Sequence, residues 1–154
     1  MITDKLIEKI IEKQNPTAVG LDTELGYLPE ELRAGIASPE EAAEAIFTFN
    51  KTLLDHVYDL IPAVKVQIAY YEQYGAAGID CFIKTVDYAK EKGLFVIADC
   101  KRNDIGSTAA RYSAAYLGET EIGGAVSFAC SADFLTVNGY LGSDGITPFT
   151  DDCK

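Results

Sequence analysis

In the run "DCKRND", Asp99 to Asp104, an Asp stands two residues before Lys101 and a second Asp three residues after it. The run closes "LFVIADCK" (94–101), an apolar stretch that reads as a buried strand, and "STAARYSAAYLG" opens a helix directly after it. Side chains two apart on a strand share a face, so Phe95, Ile97, Asp99 and Lys101 point one way and Leu94, Val96, Ala98 and Cys100 the other. The second set is suited to packing under helices. The first passes from apolar to charged toward the strand end, and puts the Cα atoms of Asp99 and Lys101 about 6.5 Å apart. Lys65 ends the preceding strand by the same logic. Opposite charges at this range favour each other's ionised forms. Charges gathered at a strand end in this way are a candidate functional site. A structural ion-pair network at a sheet edge is the alternative.

The elements that must hold these charges alternate along the chain. "TAVGLD" (17–22) is a short strand ending in Asp22, and "AVKVQ" (63–67) is a second. Between them a helix opens at Ser38, with Pro39 at its first position and Glu41 three after the cap. Its apolar residues Ala42, Ile46, Phe49, Leu53 and Val57 predict one buried stripe. Residues 75–92 predict another helix, with Ile79, Phe82, Ile83, Val86 and Ala89 inward and Gly93 stopping it. "DFLTVN" (133–138) predicts a fourth strand, followed by a glycine-rich loop. Strands alternating with helices imply a parallel sheet covered by helices. Asp22, Lys65, Gln67, Asp99, Lys101 and Asn138 gather at the carboxyl ends of its strands, where a (β/α) barrel keeps its chemistry. No G-x-G-x-x-G follows the first strand, which disfavours a dinucleotide-binding sheet.

The fold expected is therefore α/β, a (β/α)8 TIM barrel of which the chain supplies about the first four units. A whole barrel takes ~250 residues, so residues 1–154 are expected to be the N-terminal half of one domain, stopping before strand five.

Composition narrows the partners. Thirteen basic against 24 acidic residues give a net charge of −11, and no basic block is present, which argues against nucleic acid or an anionic membrane surface. "MITDKLIEKIIEKQ" reads as an amphipathic helix without the apolar core of a signal peptide, and no apolar run approaches the ~20 residues of a membrane span. A cytoplasmic protein is expected. Cys81, Cys100, Cys130 and Cys153 form no CxxC, and with His56 the only histidine a metal site is not expected. The four cysteines read as free thiols, with Cys81 and Cys130 as packing residues, and His56 as a surface residue. Tyr70, Tyr71 and Tyr74 read as packing residues rather than a base-stacking platform.

"DCKRNDI" resembles the D-x-K-x-x-D-I signature of the orotidine 5′-monophosphate decarboxylases. "GLD" (20–22), "VKVQIAYYE" (64–72) and "FLTVNGYLGSDG" (134–145) fall in the order of that family's longer bacterial branch. The resemblance implies a cofactor-free lyase that converts orotidine 5′-monophosphate to uridine 5′-monophosphate in pyrimidine biosynthesis. It implies an alternating tetrad of Lys65, Asp99, Lys101 and Asp104, with Lys101 as proton donor at C6. Asp22 and Thr108 would hold the ribose hydroxyls, with Asp104 and Thr108 reaching into a partner's site in a homodimer. The family's phosphate grip lies on loops after later strands, so the isolated chain is expected to be inactive. Gly145 stands where many members carry Ser, and Val66 where this branch carries Pro. Two other readings compete. Metal-dependent sugar-phosphate decarboxylases and aldolases share the D-x-K-x-x-D strand, but place Glu where Lys65 stands. A non-catalytic half-barrel is the other.

Overall fold

The computed structural model describes residues 1–153. Its elements run α1 (Ile2–Lys13), β1 (Ala18–Leu21), α2 (Glu30–Arg33), α3 (Pro39–Val57), β2 (Ala63–Gln67), α4 (Ala69–Glu72), α5 (Gly75–Glu91), β3 (Phe95–Arg102), α6 (Gly106–Tyr116), β4 (Thr120–Ile122), β5 (Ala125–Ser127), β6 (Phe134–Val137) and α7 (Thr147–Asp151). Strands β1, β2, β3 and β6 form one parallel sheet in that order. This is the strand order of half a barrel wall.

Local chemistry explains the helix limits. At the start of α3 the Ser38 hydroxyl accepts from the Glu41 amide at 3.2 Å, and the Glu41 carboxylate accepts from the Ser38 amide at 3.1 Å. α5 ends where Gly93 adopts φ +76°, so the Gly93 and Leu94 amides turn back onto the Lys90 and Ala89 carbonyls.

One face of the sheet is dry. Leu21, Val64, Val66, Val96, Ala98 and Cys100 lie beneath Ala43, Ile46 and Leu54 of α3 and Cys81, Phe82, Val86 and Ala89 of α5. Tyr71 meets Phe82 edge-on at 5.6 Å, and both are buried. The stripe on α3 is rotated from the expected one: Phe49, Leu53 and Val57 are only half-buried, while Asn50 and Leu54 are fully buried. Asn50 can face inward because it is hydrogen-bonded there, accepting from the Thr23 hydroxyl at 2.6 Å and donating to the Tyr71 hydroxyl at 2.9 Å.

The other face is the barrel interior. Register places Gly20, Lys65, Ile97 and Phe134 at one level, with Gln67 and Asp99 paired one level higher. Lys65 therefore stands in mid-strand, two residues before the end, and Gln67 holds the terminal place expected for Lys65.

A hairpin escaped the sequence reading. β4 and β5 pair antiparallel through Gly123 and Gly124, at φ +61° and +84°. Two consecutive positive φ values are what a two-residue primed turn demands, and Gly-Gly supplies them without strain. The hairpin is exposed and lies outside the parallel sheet. Cys81, Cys100 and Cys130 are buried free thiols, Cys153 is an exposed one, and His56 is exposed, its ring nitrogen 2.7 Å from the Thr52 carbonyl.

Candidate active site

β1, β2 and β3 bring three of the expected charges into one row with Lys101. Lys65 Nζ donates to Asp22 Oδ1 at 2.5 Å and lies 3.6 Å from Asp99 Oδ2. Lys101 Nζ donates to Asp99 Oδ1 at 2.6 Å. The order Asp22, Lys65, Asp99, Lys101 is thus an unbroken alternation of sign across three strands. Gly20 makes the first pair possible. It is the register partner of Lys65, and the position its Cβ would take is 3.5 Å from Asp22 Oδ1 and 3.6 Å from Lys65 Cε. With no side chain there, Lys65 leans across β1 to reach Asp22.

Asp99 is the centre of the row. Its side chain is 10% exposed, against 63% for Lys101. It accepts from Gln67 Nε2 at 2.7 Å on Oδ2, and from the Thr136 hydroxyl at 2.8 Å on Oδ1. Burial pushes its carboxyl upward, but the hydrogen bonds from Lys101 and Thr136 and the charges of Lys101 and Lys65 outweigh that and hold it below the usual carboxylate range. Gln67 was visible in the sequence as a polar strand-end residue. Thr136 was not singled out, although it shares a strand face with Asn138, which was.

The end of β3 departs from regular pairing. Ala98 faces Leu135 and Arg102 faces Val137, so Asp99, Cys100 and Lys101 together lie opposite Thr136. Lys101 takes up the excess with φ +49°, a left-handed conformation that costs a non-glycine residue ~1 kcal/mol. Behind it Arg102 is anchored on the outer side, donating to Glu72 at 2.8 Å and Tyr116 at 3.0 Å, with Tyr112 and Tyr116 rings against its guanidinium.

Asp104 and Thr108 make no hydrogen bond or ion pair with the row. Asp104 is half-buried and its carboxylate accepts from the Ile105 amide at 2.8 Å; Thr108 is exposed on the first turns of α6. Gly145 is buried, and the position its Cβ would take is 3.3 Å from the Asp104 carbonyl and 3.2 Å from Leu141 Cβ, so a Ser here would press on that loop. Val66 is fully buried on the helix-facing side. Among the described residues no group of three or more His, Cys, Asp or Glu is placed to hold a metal ion.

A family model for the orotidine 5′-phosphate decarboxylase / HUMPS family matches residues 39–154. The chain belongs to that family. The orotidine 5′-phosphate decarboxylase of Clostridium perfringens (strain 13 / Type A) is 41% identical over 150 residues, which are 97% of this chain and 47% of the relative. That of Clostridium acetobutylicum is 42% identical over 150 residues, covering 97% and 48%. Among solved structures, a Toxoplasma gondii chain assigned as an orotidine-monophosphate decarboxylase superposes with a TM-score of 0.77 at 26% identity, over 96% of this chain and 44% of that one. Leishmania donovani OMP decarboxylase superposes at 0.69 with 22% identity, over 95% and 49%, and bears on the fold alone. The chain spans about half the length of the curated relatives it matches. The fold is that of the first part of a TIM barrel.

Proposed function

We propose that this chain carries the catalytic charges of an orotidine 5′-monophosphate decarboxylase. The observation that carries the reading is the row Asp22, Lys65, Asp99, Lys101, with the outermost ammonium exposed and its carboxylate partner buried behind it. In the reaction the bond from C6 of the pyrimidine to the carboxylate breaks and carbon dioxide leaves. The electron pair stays on C6 and takes a proton from Lys101 Nζ, which water then restores. An ammonium already in place at the developing carbanion is preorganised stabilisation, the kind of effect worth most in catalysis. Asp99 keeps Lys101 aimed, Lys65 and Asp22 extend the row toward the ribose hydroxyls, and no cofactor enters.

Asp104 and Thr108 complete the site from a second copy of the chain in this proposal, which makes the enzyme a cytoplasmic homodimer. Their lack of any bond to the row within one chain, and the exposure of Thr108, are compatible with that role. The reading with a metal-dependent sugar phosphate is weaker. Lys65 Nζ lies 3.6 Å from Asp99, where a bound cation would have to displace it or be repelled by it.

The test joins this chain to the half of the Clostridium perfringens relative that the match leaves uncovered, and follows loss of the orotate chromophore. The joined protein should decarboxylate orotidine 5′-monophosphate in the presence of EDTA. Lys101→Ala should lose many orders of magnitude, and Lys101→Arg should not recover them, because a guanidinium does not give up its proton. A Lys101→Ala loss of less than about tenfold would remove Lys101 from the centre of the reaction.

A further inference from the structure

A parallel ladder pairs residues one for one, and at the end of β3 it fails to do so. Three residues, Asp99 to Lys101, pass opposite Thr136 between the Ala98–Leu135 and Arg102–Val137 pairs. Lys101 sits in the left-handed region at φ +49° with its amide turned to the β6 side, and the acceptor it finds there is the Thr136 hydroxyl oxygen, at 3.0 Å. The same hydroxyl donates its proton to Asp99 Oδ1 at 2.8 Å, the oxygen to which Lys101 Nζ donates at 2.6 Å. The three contacts close a ring: Lys101 amide to Thr136, Thr136 to Asp99, Asp99 to Lys101 ammonium. One hydroxyl thus fixes both ends of the lysine, its backbone directly and its charged head through the carboxylate.

We propose that Thr136 is a positioning residue for Lys101, holding the irregular end of β3 in the one geometry that keeps the ammonium on Asp99. The chemistry requires a residue able to accept and donate at once on a short stem, which Ser and Thr provide and Val does not. The other groups facing Asp99 cannot substitute for it. Gln67 and Lys65 meet the opposite oxygen, Oδ2, and neither bonds the Lys101 backbone. The catalytic part of the proposal rests on the decarboxylase reading above, while the geometric part does not.

The test uses Thr136→Val, which keeps the shape and removes the hydroxyl, and Thr136→Ser, which keeps the hydroxyl. On the joined protein, amide hydrogen exchange and the carboxyl carbon shift of Asp99 are followed by NMR. In Thr136→Val the Lys101 amide should exchange about tenfold faster while the Val96 amide, bonded to Asp133, stays unchanged. Asp99 should titrate at higher pH, because a donor to its charged form is gone. Thr136→Ser should restore both. In the joined protein Thr136→Val should lower kcat roughly 10- to 100-fold with KM moving less than about threefold, since a misplaced proton donor is felt in the transition state. If Thr136→Val gives no dispersed spectrum, Thr136→Ala makes the same removal with less bulk. Unchanged Lys101 exchange and Asp99 titration in a folded hydroxyl-free variant would overturn the proposal. If instead these shift as expected and the wild-type joined protein is inactive, the decarboxylase reading fails and the positioning ring stands.

Discussion

Asn50 offers the sharpest test of how the helical layer supports the site. It is fully buried on α3, accepts the Thr23 hydroxyl at 2.6 Å and donates to the Tyr71 hydroxyl at 2.9 Å. Tyr71 in turn donates to the Leu21 carbonyl at 3.3 Å, so the relay grips the chain on both sides of Asp22, where it leaves β1. Burial pushes the Tyr71 phenol well above its ordinary range, which keeps it a donor at any working pH. Asn50→Ala removes two bonds worth ~1 kcal/mol each and strands the buried Thr23 hydroxyl at a cost of at least ~1 kcal/mol, a total of about 3 kcal/mol. Urea unfolding followed by circular dichroism at constant m-value measures this directly. The relay also fixes a sign. Thr23→Val should cost ~1 kcal/mol or more in the wild-type background and close to nothing after Asn50→Ala, because it then removes a hydroxyl already without a partner. An Asn50→Ala cost below ~1 kcal/mol, or equal Thr23→Val costs in the two backgrounds, would refute the reasoning.

Other outcomes follow from the charged row. Because the folded carboxyl of Asp99 is held below its usual range, it contributes stability that is fully present above the unfolded value of about 3.9 and is lost as pH falls through the lower folded value. Asp99→Asn should flatten that acid limb of the urea midpoint below about pH 4, and an unchanged limb would assign it to other carboxylates. Gly20→Ala should be accommodated, since its Cβ would meet Asp22 and Lys65 at ordinary contact distance, whereas Gly20→Val should push Lys65 off Asp22 and cost activity in the joined protein. Equal activity of the two variants would mean the Lys65–Asp22 pair is dispensable. If Asp104 serves the partner's site, joined proteins carrying Lys101→Ala and Asp104→Ala should each be nearly inactive, yet recover ~25% of wild-type activity when mixed under subunit exchange. A mixture that stays inactive after proven exchange would place Asp104 in its own chain's site.

The sequence made the wall of the barrel legible and left its irregular rim obscure. β2 was expected at 63–67 and is found at Ala63–Gln67, because a short run dominated by buried apolar residues and bounded by turns has few other readings. α3 and α5 declared themselves through a capping box and a glycine stop. The buried stripe of α3 was misplaced because Asn50 is polar, and its right to be buried comes from Thr23 and Tyr71, distant in sequence. The β4–β5 hairpin had a local signal, Gly123-Gly124, that went unused. Asp99 and Lys101 were placed by strand alternation, and they do meet, though not for that reason alone. The backbone reverses hand at Lys101, and the contact survives through β6, which pairs with β3 from more than thirty residues away.

Under the proposed reading, the arrangement of charge also bears on how a chain of net charge −11 would serve an anionic substrate. Over ~8 Å at physiological salt exposed charges are largely screened, so the acidic surface as a whole does not set the field in the site. What a ligand meets there is Asp22, Lys65, Asp99 and Lys101, two charges of each sign. Such a row does not attract a dianion; its value is directional. Asp99, 10% exposed, has its four partners on its own side of the interior, while Lys101, 63% exposed, keeps one bond behind it and an open front. A ligand can reach the ammonium without first breaking the pair that orients it. The buried carboxylate bears the desolvation cost, offset by Gln67, Thr136 and the two lysines, and the exposed lysine remains hydrated until a ligand replaces the water. In the proposed reaction, substrate grip then has to come from neutral donors or from cations outside this row, and the row itself would be left to do one thing, which is to present a proton on a fixed nitrogen.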